Sequence, residues 1–331
     1  MRICIVGCSG HFGHVVDDIA KGKEHVLLAY STACEEDNME KLELKLSSLG
    51  LSAKKYSDYK EMLNTERPDI CVVDSAFYTH AVVAEYALSL GINTYCEKPV
   101  ALNLQELESP SKACKASTAT FWAMQTARYD PWFYTANKLI KSGVLGKIRM
   151  LNGQKSYKSG IRPDFYKNRS TYGGTIPWVG IHSIDLINHL ANEPVKTIYA
   201  QQSSVDNNNC GDLEMTGLIN LSLANDIIAS INIDFYRPNT APTHGDDRIR
   251  VVGTKGVLEV RNSRIFLIDE NGESEQEVQP SPGIWQSFVA ACKGEEQGEI
   301  TAESSLYSTR IALLARQSAD TNSVITVKDY E

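Results

Sequence analysis

Short runs of apolar residues alternate with longer amphipathic stretches along the first 123 residues of the chain. Such short, near-continuous runs are typical of parallel strands that are buried on both faces. The stretches between them carry helix end signals: Ser57 and Thr79 are predicted N-caps, and Asn103 with Glu106 three residues later resembles a capping box. We therefore expect a doubly wound parallel sheet, with its ligand beyond the carboxyl ends of the strands. The predicted strands are 2–6, 26–30, 70–73, 93–96 and 119–123.

The pattern changes after Asp130 and Pro131, which form a predicted helix cap and first turn. A long extended stretch, a polar loop and a helix over about 176–190 lead into a block of strands. Turn signals separate these strands, as expected for antiparallel hairpins with helices on one face of the sheet. The predicted strands are 147–157, 195–202, 213–221, 227–235, 249–252, 256–260 and 264–268, and the closing helices are 284–292 and 304–318.

Composition narrows the possible classes of protein. The chain has 331 residues, 42% of them apolar, with 33 Lys and Arg against 41 Asp and Glu and a net charge of −8. This length predicts two domains and this composition excludes a disordered or fibrous chain. No apolar run approaches the ~20 residues of a membrane span, and no dense basic run predicts binding to nucleic acid or a membrane.

Two features bear on location. Gly7 and Gly10 interrupt the first apolar run before a signal-peptide core is formed, so a soluble, cytoplasmic protein is expected. The eight cysteines include no C-x-x-C pair. They are therefore interpreted as small buried hydrophobic residues in a reducing compartment.

The first predicted strand runs into a glycine-rich turn and then an apolar helix. A turn of this kind brings phosphate close to bare backbone N–H groups at a helix N-terminus. The spacing is G-x-x-G-x-x-G, with a serine at the usual middle glycine, and a merely tight turn is the alternative interpretation. The predicted dinucleotide-binding residues are Gly7, Ser9, Gly10, His11, Phe12 and Gly13.

The end of the second strand bears on which dinucleotide is bound. An NAD site usually has an acidic residue there for the ribose hydroxyls, but this chain has Ser31 and Thr32, and Glu35 and Glu36 come later. The two hydroxyls can accommodate a 2′-phosphate, although no arginine is adjacent. NADP is therefore favoured over NAD.

A charged pair held by a proline follows the strand that ends at Cys96. Glu97 and Lys98, followed by Pro99, stand where the nicotinamide end of a dinucleotide would lie. Further on, Pro177 starts a helix whose spacing places four side chains along one side, namely Trp178, His182, Asp185 and His189. These features suggest that a lysine and an imidazole meet at a cleft between the domains.

With these motifs the sequence resembles the glucose-fructose oxidoreductase, inositol dehydrogenase and MocA family of NAD(P)-dependent oxidoreductases over essentially its whole length. The resemblance is carried by the glycine turn, Pro68-Asp69, His80, the stretch from Gly91 to Pro99, Arg128-Tyr129, Gly146-Lys147-Ile148, the segment from Gly173 to Asp185, and Gly253-Thr254-Lys255-Gly256. It implies a Rossmann dinucleotide-binding domain over 1–125. It also implies an α+β domain over 126–331 with a large, mostly antiparallel open-faced sheet that binds the substrate and makes homodimer or homotetramer contacts.

The resemblance also implies roles for individual residues. Lys98 and His182 line the reacting centre, and sugars, polyols or their derivatives are the usual substrates. Ser75, His80, Glu97, Lys98 and Arg128 are expected at the cofactor, although His80 alternatively only starts a helix and Arg128 alternatively forms an interdomain ion pair. The expected substrate residues are Tyr157, Arg162, Trp178 and Asp185.

One departure from the family pattern concerns Trp178. Family members often carry aspartate four residues before the histidine, in a D-x-G-x-H pattern. Indole has no acceptor and cannot relay a proton, although its face can stack on a pyranose. The arrangement of lysine, aspartate and histidine is therefore incomplete in this chain.

Alcohol oxidation by a nicotinamide needs a base within hydrogen-bond reach of the hydroxyl. His182 is the candidate base, and Lys98 polarises the oxygen or acts as the base itself. Structural alternatives are a His182 bonded to backbone and a Lys98 that is simply exposed. Asp185 either binds a substrate hydroxyl or pairs locally, and no metal site is expected.

The loop over 157–169 is expected to face the substrate, with a solvated or oligomer-contact loop as the alternative. Arg162 and Arg169 are candidates for binding a carboxylate or phosphate. The main hypothesis is an NAD(P)-dependent oxidoreductase acting on a secondary alcohol or ketone of a sugar-like molecule. A non-redox dinucleotide-binding sensor, motivated by Trp178, and a lyase or epimerase that oxidises its substrate transiently are the alternatives.

Overall fold

The structure is a computed structural model that describes residues 1–22 and 24–328 of the chain. Residues 329–331, the end of the predicted second domain, lie outside the described part. The chain divides into two compact units: Met1–Gln125 with Ile284–Thr309, and Thr126–Gly283 with Arg310–Glu331. The segment 284–309, predicted within the second domain, is therefore part of the first unit.

The elements of regular structure follow one another as the alternating pattern predicts, with a few additions. The strands are β1 Arg2–Val6, β2 Val26–Ser31, β3 Lys54–Tyr56, β4 Ile70–Val73, β5 Asn93–Cys96, β6 Phe121–Ala123, β7 Ile148–Tyr157, β8 Val195–Ser203, β9 Thr216–Leu223, β10 Ile228–Asp234, β11 Gly245–Gly253, β12 Val257–Arg261, β13 Arg264–Asp269, β14 Gly272–Gln276 and β15 Ile325–Thr326.

The helices include two that the pattern did not predict, α2 and α7. The α-helices are α1 Gly13–Lys21, α2 Glu40–Ser48, α3 Tyr59–Glu66, α4 His80–Ser89, α5 Leu104–Ala116, α6 Pro131–Lys141, α7 Arg169–Tyr172, α8 Ile181–Ala191, α9 Ile284–Lys293 and α10 Ala302–Thr321. A π-helical turn, Ile176–Gly180, directly precedes α8, and short 3₁₀ turns cover Phe77–Thr79, Thr126–Tyr129, Asp164–Lys167 and Ala224–Asp226.

The first unit is built on a parallel sheet with the strand order β3-β2-β1-β4-β5-β6. Every residue of β4 is buried, and so is β1 after its first residue. Strands buried in this way are covered on both faces, which explains why they read as continuous apolar runs. This is the strand order of a Rossmann fold, as predicted.

The observed helix ends of the first unit can be compared with the predicted caps. The Asn103 cap is confirmed, because its side chain accepts the Glu106 N–H at 2.8 Å. The returning bond of the predicted capping box differs, since Glu106 accepts the N–H of Leu102 at 3.0 Å. The predicted Ser57 cap is wrong, because the neighbouring Asp58 accepts the N–H of Lys60 at 2.8 Å and caps α3 instead.

Aromatic packing explains why α9 belongs to the first unit. The ring of Phe288 lies 4.9 Å from that of Tyr95 on β5, measured between centroids, and Trp285 packs on both rings. Trp285 also donates its indole N–H to Asp18 at 2.9 Å. The apolar face of α9 is thus buried on the parallel sheet. This pairing was not predicted, because α9 is far from these strands in the sequence.

The second unit contains a nine-stranded sheet with the order β14-β13-β12-β11-β7-β10-β9-β8-β15. Its neighbouring strands are antiparallel except for β7 and β10, which run parallel. The predicted mostly antiparallel sheet is confirmed. Helix α8 packs on β7 and β10, and α6 packs on β12 and β13. Within the described residues, no helix is long and apolar enough to cross a membrane.

Candidate functional site

The glycine turn after β1 lies directly against the end of β4. Gly7 has a φ of +79°, and a Cβ atom added to it would lie 2.1 Å from the Cα of Ser75. Its N–H donates to the carbonyl of Ser31 at 2.8 Å. Only glycine combines this backbone conformation with this close approach.

A carboxylate is held by the amides of the same turn. Asp74, fully buried after β4, accepts the N–H of Gly10 at 2.6 Å and that of Phe12 at 2.5 Å, and its carbonyl accepts the N–H of Ser9 at 2.7 Å. Burial, followed by the charge of Glu97, raises the pKa of Asp74 well above its usual range. Asp74 was not predicted from the sequence, although a charged residue at the carboxyl end of an apolar strand is a usable signal.

Glu97 and Lys98 form a buried pair at the end of β5. The Glu97 carboxylate lies 3.6 Å from the Lys98 ammonium and 2.9 Å from Nδ1 of His11, and both members of the pair are almost completely buried. Burial opposes the charged form of Glu97, but the charges of His11 and Lys98 outweigh it and lower the pKa of Glu97 to about 2. The turn therefore holds one carboxylate ionised beside a cationic lysine.

Two other predicted cofactor residues are fully buried and make internal bonds. Both ring nitrogens of His80 lie within hydrogen-bond distance of backbone carbonyls, those of Pro99 at 2.8 Å and Ser75 at 2.9 Å. The hydroxyl of Ser75 lies 2.6 Å from that of Thr79. His80 thus links the turn that follows β4 to the turn that carries Lys98, and is a positioning residue.

Polar groups also surround the turn after β2, where Ser31 and Thr32 are placed. The buried Ser31 donates its hydroxyl to the Thr32 carbonyl at 3.0 Å. Asp37, which the sequence analysis did not single out, accepts the N–H groups of Ala33 at 2.7 Å and Ala76 at 2.8 Å. Its carboxylate thereby fixes this turn against the end of β4.

In the second unit, Trp178 and His182 lie on one continuous helical segment. Trp178 belongs to the π-helical turn and His182 to the first turn of α8, and each side chain is about 9% exposed. π-Helical turns are rare and are frequent at functional sites. The Trp178 ring packs on Tyr166 at 4.3 Å and Phe235 at 5.7 Å between centroids, so the indole is fixed in an aromatic cluster.

Asp185 and Arg128 are joined in a buried, two-point ion pair. Both lie in the second unit. Of the two alternatives for Asp185, the structure shows the local pairing. Arg128, which was predicted to lie at the cofactor, uses its guanidinium in this ion pair.

Tyr157 lies in a buried charged group that the sequence analysis did not predict. The ammonium of Lys155 contacts Asp247 at 2.5 Å, and the Tyr157 hydroxyl lies 3.3 Å from the same carboxylate. Asp130 is close enough to feel the charge of Lys155, and burial raises its pKa to about 6. Lys155 was missed because its buried pairing depends on the register of β7 with β11.

The two candidate arginines of the 157–169 loop differ in their surroundings. Arg169 pairs with Glu214 and, at 2.7 Å, with Asp320, so its charge is neutralised within the protein. Arg162 instead lies over the rings of Trp178 and Phe235. The expectation that Arg169 recognises an anionic ligand is therefore dropped, whereas Arg162 stays a candidate.

Comparison with known proteins identifies the family of this chain. Residues 1–125 match an oxidoreductase family with an NAD-binding Rossmann fold, and residues 133–259 match the GFO/IDH/MocA C-terminal domain. A solved structure of an oxidoreductase from Thermotoga maritima is 40% identical, covers 99% of this chain and 100% of that chain, and superposes with a TM-score of 0.95. The chain belongs to the GFO/IDH/MocA family of oxidoreductases. The resemblance stated from its motifs is thereby confirmed.

More distant relatives in the GFO/IDH/MocA family include proteins named for their substrate. The chain is 23% identical to the myo-inositol 2-dehydrogenase of Thermotoga maritima over 279 residues, which are 82% of this chain and 80% of that protein. It is 26% identical to the uncharacterized oxidoreductase YrbE of Bacillus subtilis over 216 residues. These are 64% of this chain and 61% of YrbE, so the match spans less than two thirds of that relative.

The glycine turn fits the dinucleotide that its family binds. A Cβ atom added to Gly10 would lie 2.7 Å from the Asp74 carboxylate and 2.9 Å from Cγ of Glu97, so bare backbone lines the turn there. The amides of Gly10 and Phe12 are occupied by the two side-chain oxygens of Asp74, so these bonds hold the turn in shape. Helix α1 begins at Gly13 without a side-chain cap, which leaves its positive end to a ligand.

Proposed function

We propose that this protein transfers hydride between a nicotinamide dinucleotide and a secondary alcohol or ketone of a sugar, polyol or sugar acid. The observation that carries the proposal is the buried pair of Lys98 and Glu97, in the same unit as the glycine turn. A lysine that is only 3% exposed and lies beside one carboxylate is an unusual feature for a surface turn. This burial supports a role for Lys98 in chemistry rather than in solubility.

The proposed roles assign different tasks to His182 and Lys98. The bound nicotinamide supplies the hydride acceptor or donor. His182 takes the proton from the substrate hydroxyl, or returns it in the reverse direction. Lys98 donates a hydrogen bond to the same oxygen and stabilises the negative charge that develops on it. Glu97 keeps Lys98 cationic, because a lysine buried without a counter-ion would tend to lose its proton.

Substitution of the two reacting residues tests this proposal. Lys98→Met and His182→Ala are each expected to lower turnover by about 10²–10⁴-fold, the usual contribution of a general acid or base, while dinucleotide binding persists. Arg149→Met, at an exposed position on β7, is the control. Near-normal turnover in both reacting-residue variants would contradict the mechanism. Binding without turnover over a broad polyol and sugar-acid panel would favour the sensor that Trp178 motivates.

The preference for NADP stays a prediction from Ser31 and Thr32. Against it stand three successive carboxylate residues at 35–37, which would repel a 2′-phosphate, and the loop over 32–39 has no basic residue. Competitive titration with NADPH and NADH decides between them. Tighter binding of NADH would reverse the prediction. Dinucleotide that remains bound through purification would instead favour the lyase or epimerase.

We also propose that the nine-stranded sheet mediates a homodimer or homotetramer. The support is its solvent-facing side, on which Leu218 of β9 and Ile228 of β10 are exposed. Light scattering on the purified protein tests this, with Leu218→Glu expected to shift the mass towards the monomer. If the wild-type protein has the mass of a monomer, the proposed oligomer is contradicted.

A further inference from the structure

Arg162 holds its guanidinium among aromatic rings. Its central carbon lies 5.0 Å from the ring centroid of Trp178, 5.1 Å from that of Phe235 and 5.9 Å from that of Tyr166. Because these rings also pack on one another, the guanidinium rests on a rigid surface. Arginine placed in this way keeps its hydrogen-bond donors in a fixed plane.

The positive charge of Arg162 lacks an internal counter-ion. Across residues 1–22 and 24–328, no carboxylate forms an ion pair with it, and its one hydrogen bond is a long one of 3.4 Å to the Lys158 carbonyl. Its Nε is buried and has no hydrogen-bond partner. By contrast, Arg128 and Arg169 each bind a carboxylate. Arg162 is thus an arginine that the fold desolvates without neutralising.

The energetic consequence follows from typical magnitudes. Partial burial of a guanidinium is unfavourable unless an anion compensates it, and burial lowers the pKa of Arg162 accordingly. Contacts with aromatic rings offset only part of this cost. A negative charge placed beside the Arg162 guanidinium would therefore be favourable.

Trp178 connects this charge to the reacting histidine. It precedes His182 by one turn of the same helical segment and replaces the aspartate of the family pattern. Where that pattern has a negative charge next to the histidine, this chain has an indole that carries a guanidinium on its face. Arg162 therefore places a positive charge on the residue that lies one turn before His182.

We infer that Arg162 binds the carboxylate of the substrate and that this protein acts on sugar acids or related hydroxy acids rather than on uncharged polyols. The inference rests on the proposed function, since it places the anion on the molecule that His182 deprotonates. A carboxylate fits better than a phosphate monoester, because a single guanidinium matches one negative charge and two coplanar oxygens. The other cations of the loop are occupied, Lys158 by the carbonyls of Asn239 and Ala241 and Lys167 by Asp164.

Calorimetric titration of the protein loaded with dinucleotide tests the inference without requiring turnover. The ligands are two matched pairs, D-gluconate with sorbitol and D-glucuronate with D-glucose, together with a hexose phosphate. At least one acid is expected to bind about tenfold or more tightly than its uncharged counterpart. Arg162→Met is expected to weaken the binding of that acid by about 10–100-fold, as for the loss of a charged hydrogen-bonded pair. The affinity for the uncharged ligands is expected to stay the same.

Arg149→Met is the matched control, because Arg149 also bonds a backbone carbonyl, that of Asn225, but is exposed. It should bind the acids as the wild type does. Equal binding of acid and uncharged ligand, absence of binding by both acids, or an acid preference that survives in Arg162→Met would overturn the inference. Tighter binding of the hexose phosphate than of either acid would overturn the assignment to a carboxylate. Lys98→Met should keep the acid preference, so failure of the hydride mechanism is seen separately.

Discussion

Arg128 and Asp185 form a two-point ion pair in the interior of the second unit. Nε and Nη2 of the arginine donate to the two carboxylate oxygens at 2.7 and 2.6 Å, and both side chains are at most about 4% exposed. The pair joins the 3₁₀ turn over Thr126–Tyr129 to α8, one turn after His182. It therefore fixes the orientation of the helix that carries the proposed base.

Removal of one partner of this pair should be strongly destabilising. Asp185→Asn is expected to lower the free energy of unfolding by about 3–5 kcal/mol, because it removes the buried negative charge that pairs with the arginine. Denaturant unfolding followed by circular dichroism measures the loss. The double variant Arg128→Met with Asp185→Leu should recover a large part of it. Equal losses in the single and double variants would show that the ion pair itself is not the cause.

His189 makes the stability of the protein sensitive to acid. Burial, then the charges of Arg128 and Lys141, lower its pKa from 6.5 to about 3. The unfolded chain therefore binds this proton more readily than the folded one. The contribution of the neutral His189 to the free energy of unfolding is fully present above pH 6.5. It is lost as the pH falls from 6.5 towards 3, at up to about 1.4 kcal/mol per pH unit.

The corresponding experiment compares unfolding free energies between about pH 7 and pH 5. His189→Asn removes the titrating group, so its stability should fall less steeply with acid than that of the wild type. His244→Asn, at an exposed histidine, is the control and should keep the wild-type slope. Identical slopes for all three proteins would refute the assignment.

Asp74 should make dinucleotide binding depend on pH. It accepts hydrogen bonds from two amides of the glycine turn and feels the charges of Glu97 and Asp37. His11 in turn pairs with Glu97. Protonation of Asp74 removes one negative charge from the glycine turn, where the phosphates of the dinucleotide are expected to bind. We expect the dissociation constant of the reduced dinucleotide to increase as the pH rises through the raised pKa of Asp74, by up to about tenfold per pH unit.

Fluorescence titration of the reduced dinucleotide at several pH values measures this dependence. Asp74→Asn keeps a carbonyl acceptor for one amide and cannot ionise, so its dissociation constant should vary less with pH. If the variant retains the wild-type dependence, another group is responsible for it.

Two glycines of the same turn should differ in their tolerance of a side chain. Gly7→Ala places a Cβ atom 2.1 Å from backbone at Ser75 and requires a φ of +79°, so the loss of stability should exceed about 2 kcal/mol. At Gly13 the added Cβ atom would meet only Lys45, at 3.8 Å. Thermal unfolding of the two alanine variants measures the contrast, and equal melting temperatures would contradict it.

The sequence predicted the first unit well because its central strands are buried on both faces and read as apolar runs. Edge strands were missed for the opposite reason. β3 consists of Lys54, Lys55 and Tyr56, and β14 is almost wholly exposed, so neither carries a hydrophobic signal. β11 begins at Gly245 rather than at 249, because its first half is charged and its strand character comes from the register with β7.

The candidate site was predictable only where its chemistry is local in sequence. Lys98 beside Glu97, and His182 one turn after Trp178, follow from spacing. The contacts of Asp74 with Gly10, of Lys155 with Asp247 and of Arg128 with Asp185 join residues 64, 92 and 57 positions apart. Such pairings depend on strand order and helix packing, which a single sequence does not reveal.

The central claim is that this member of the GFO/IDH/MocA family moves hydride between a substrate alcohol and a nicotinamide. Its most direct measurement uses the best ligand of the acid and polyol panel, with deuterium on each carbon that bears a hydroxyl, together with the oxidised dinucleotide. We expect mass spectrometry to find one deuterium in the reduced nicotinamide formed by the wild type, and almost none with Lys98→Met. Binding of both molecules by the wild type without deuterium in the dinucleotide would contradict it.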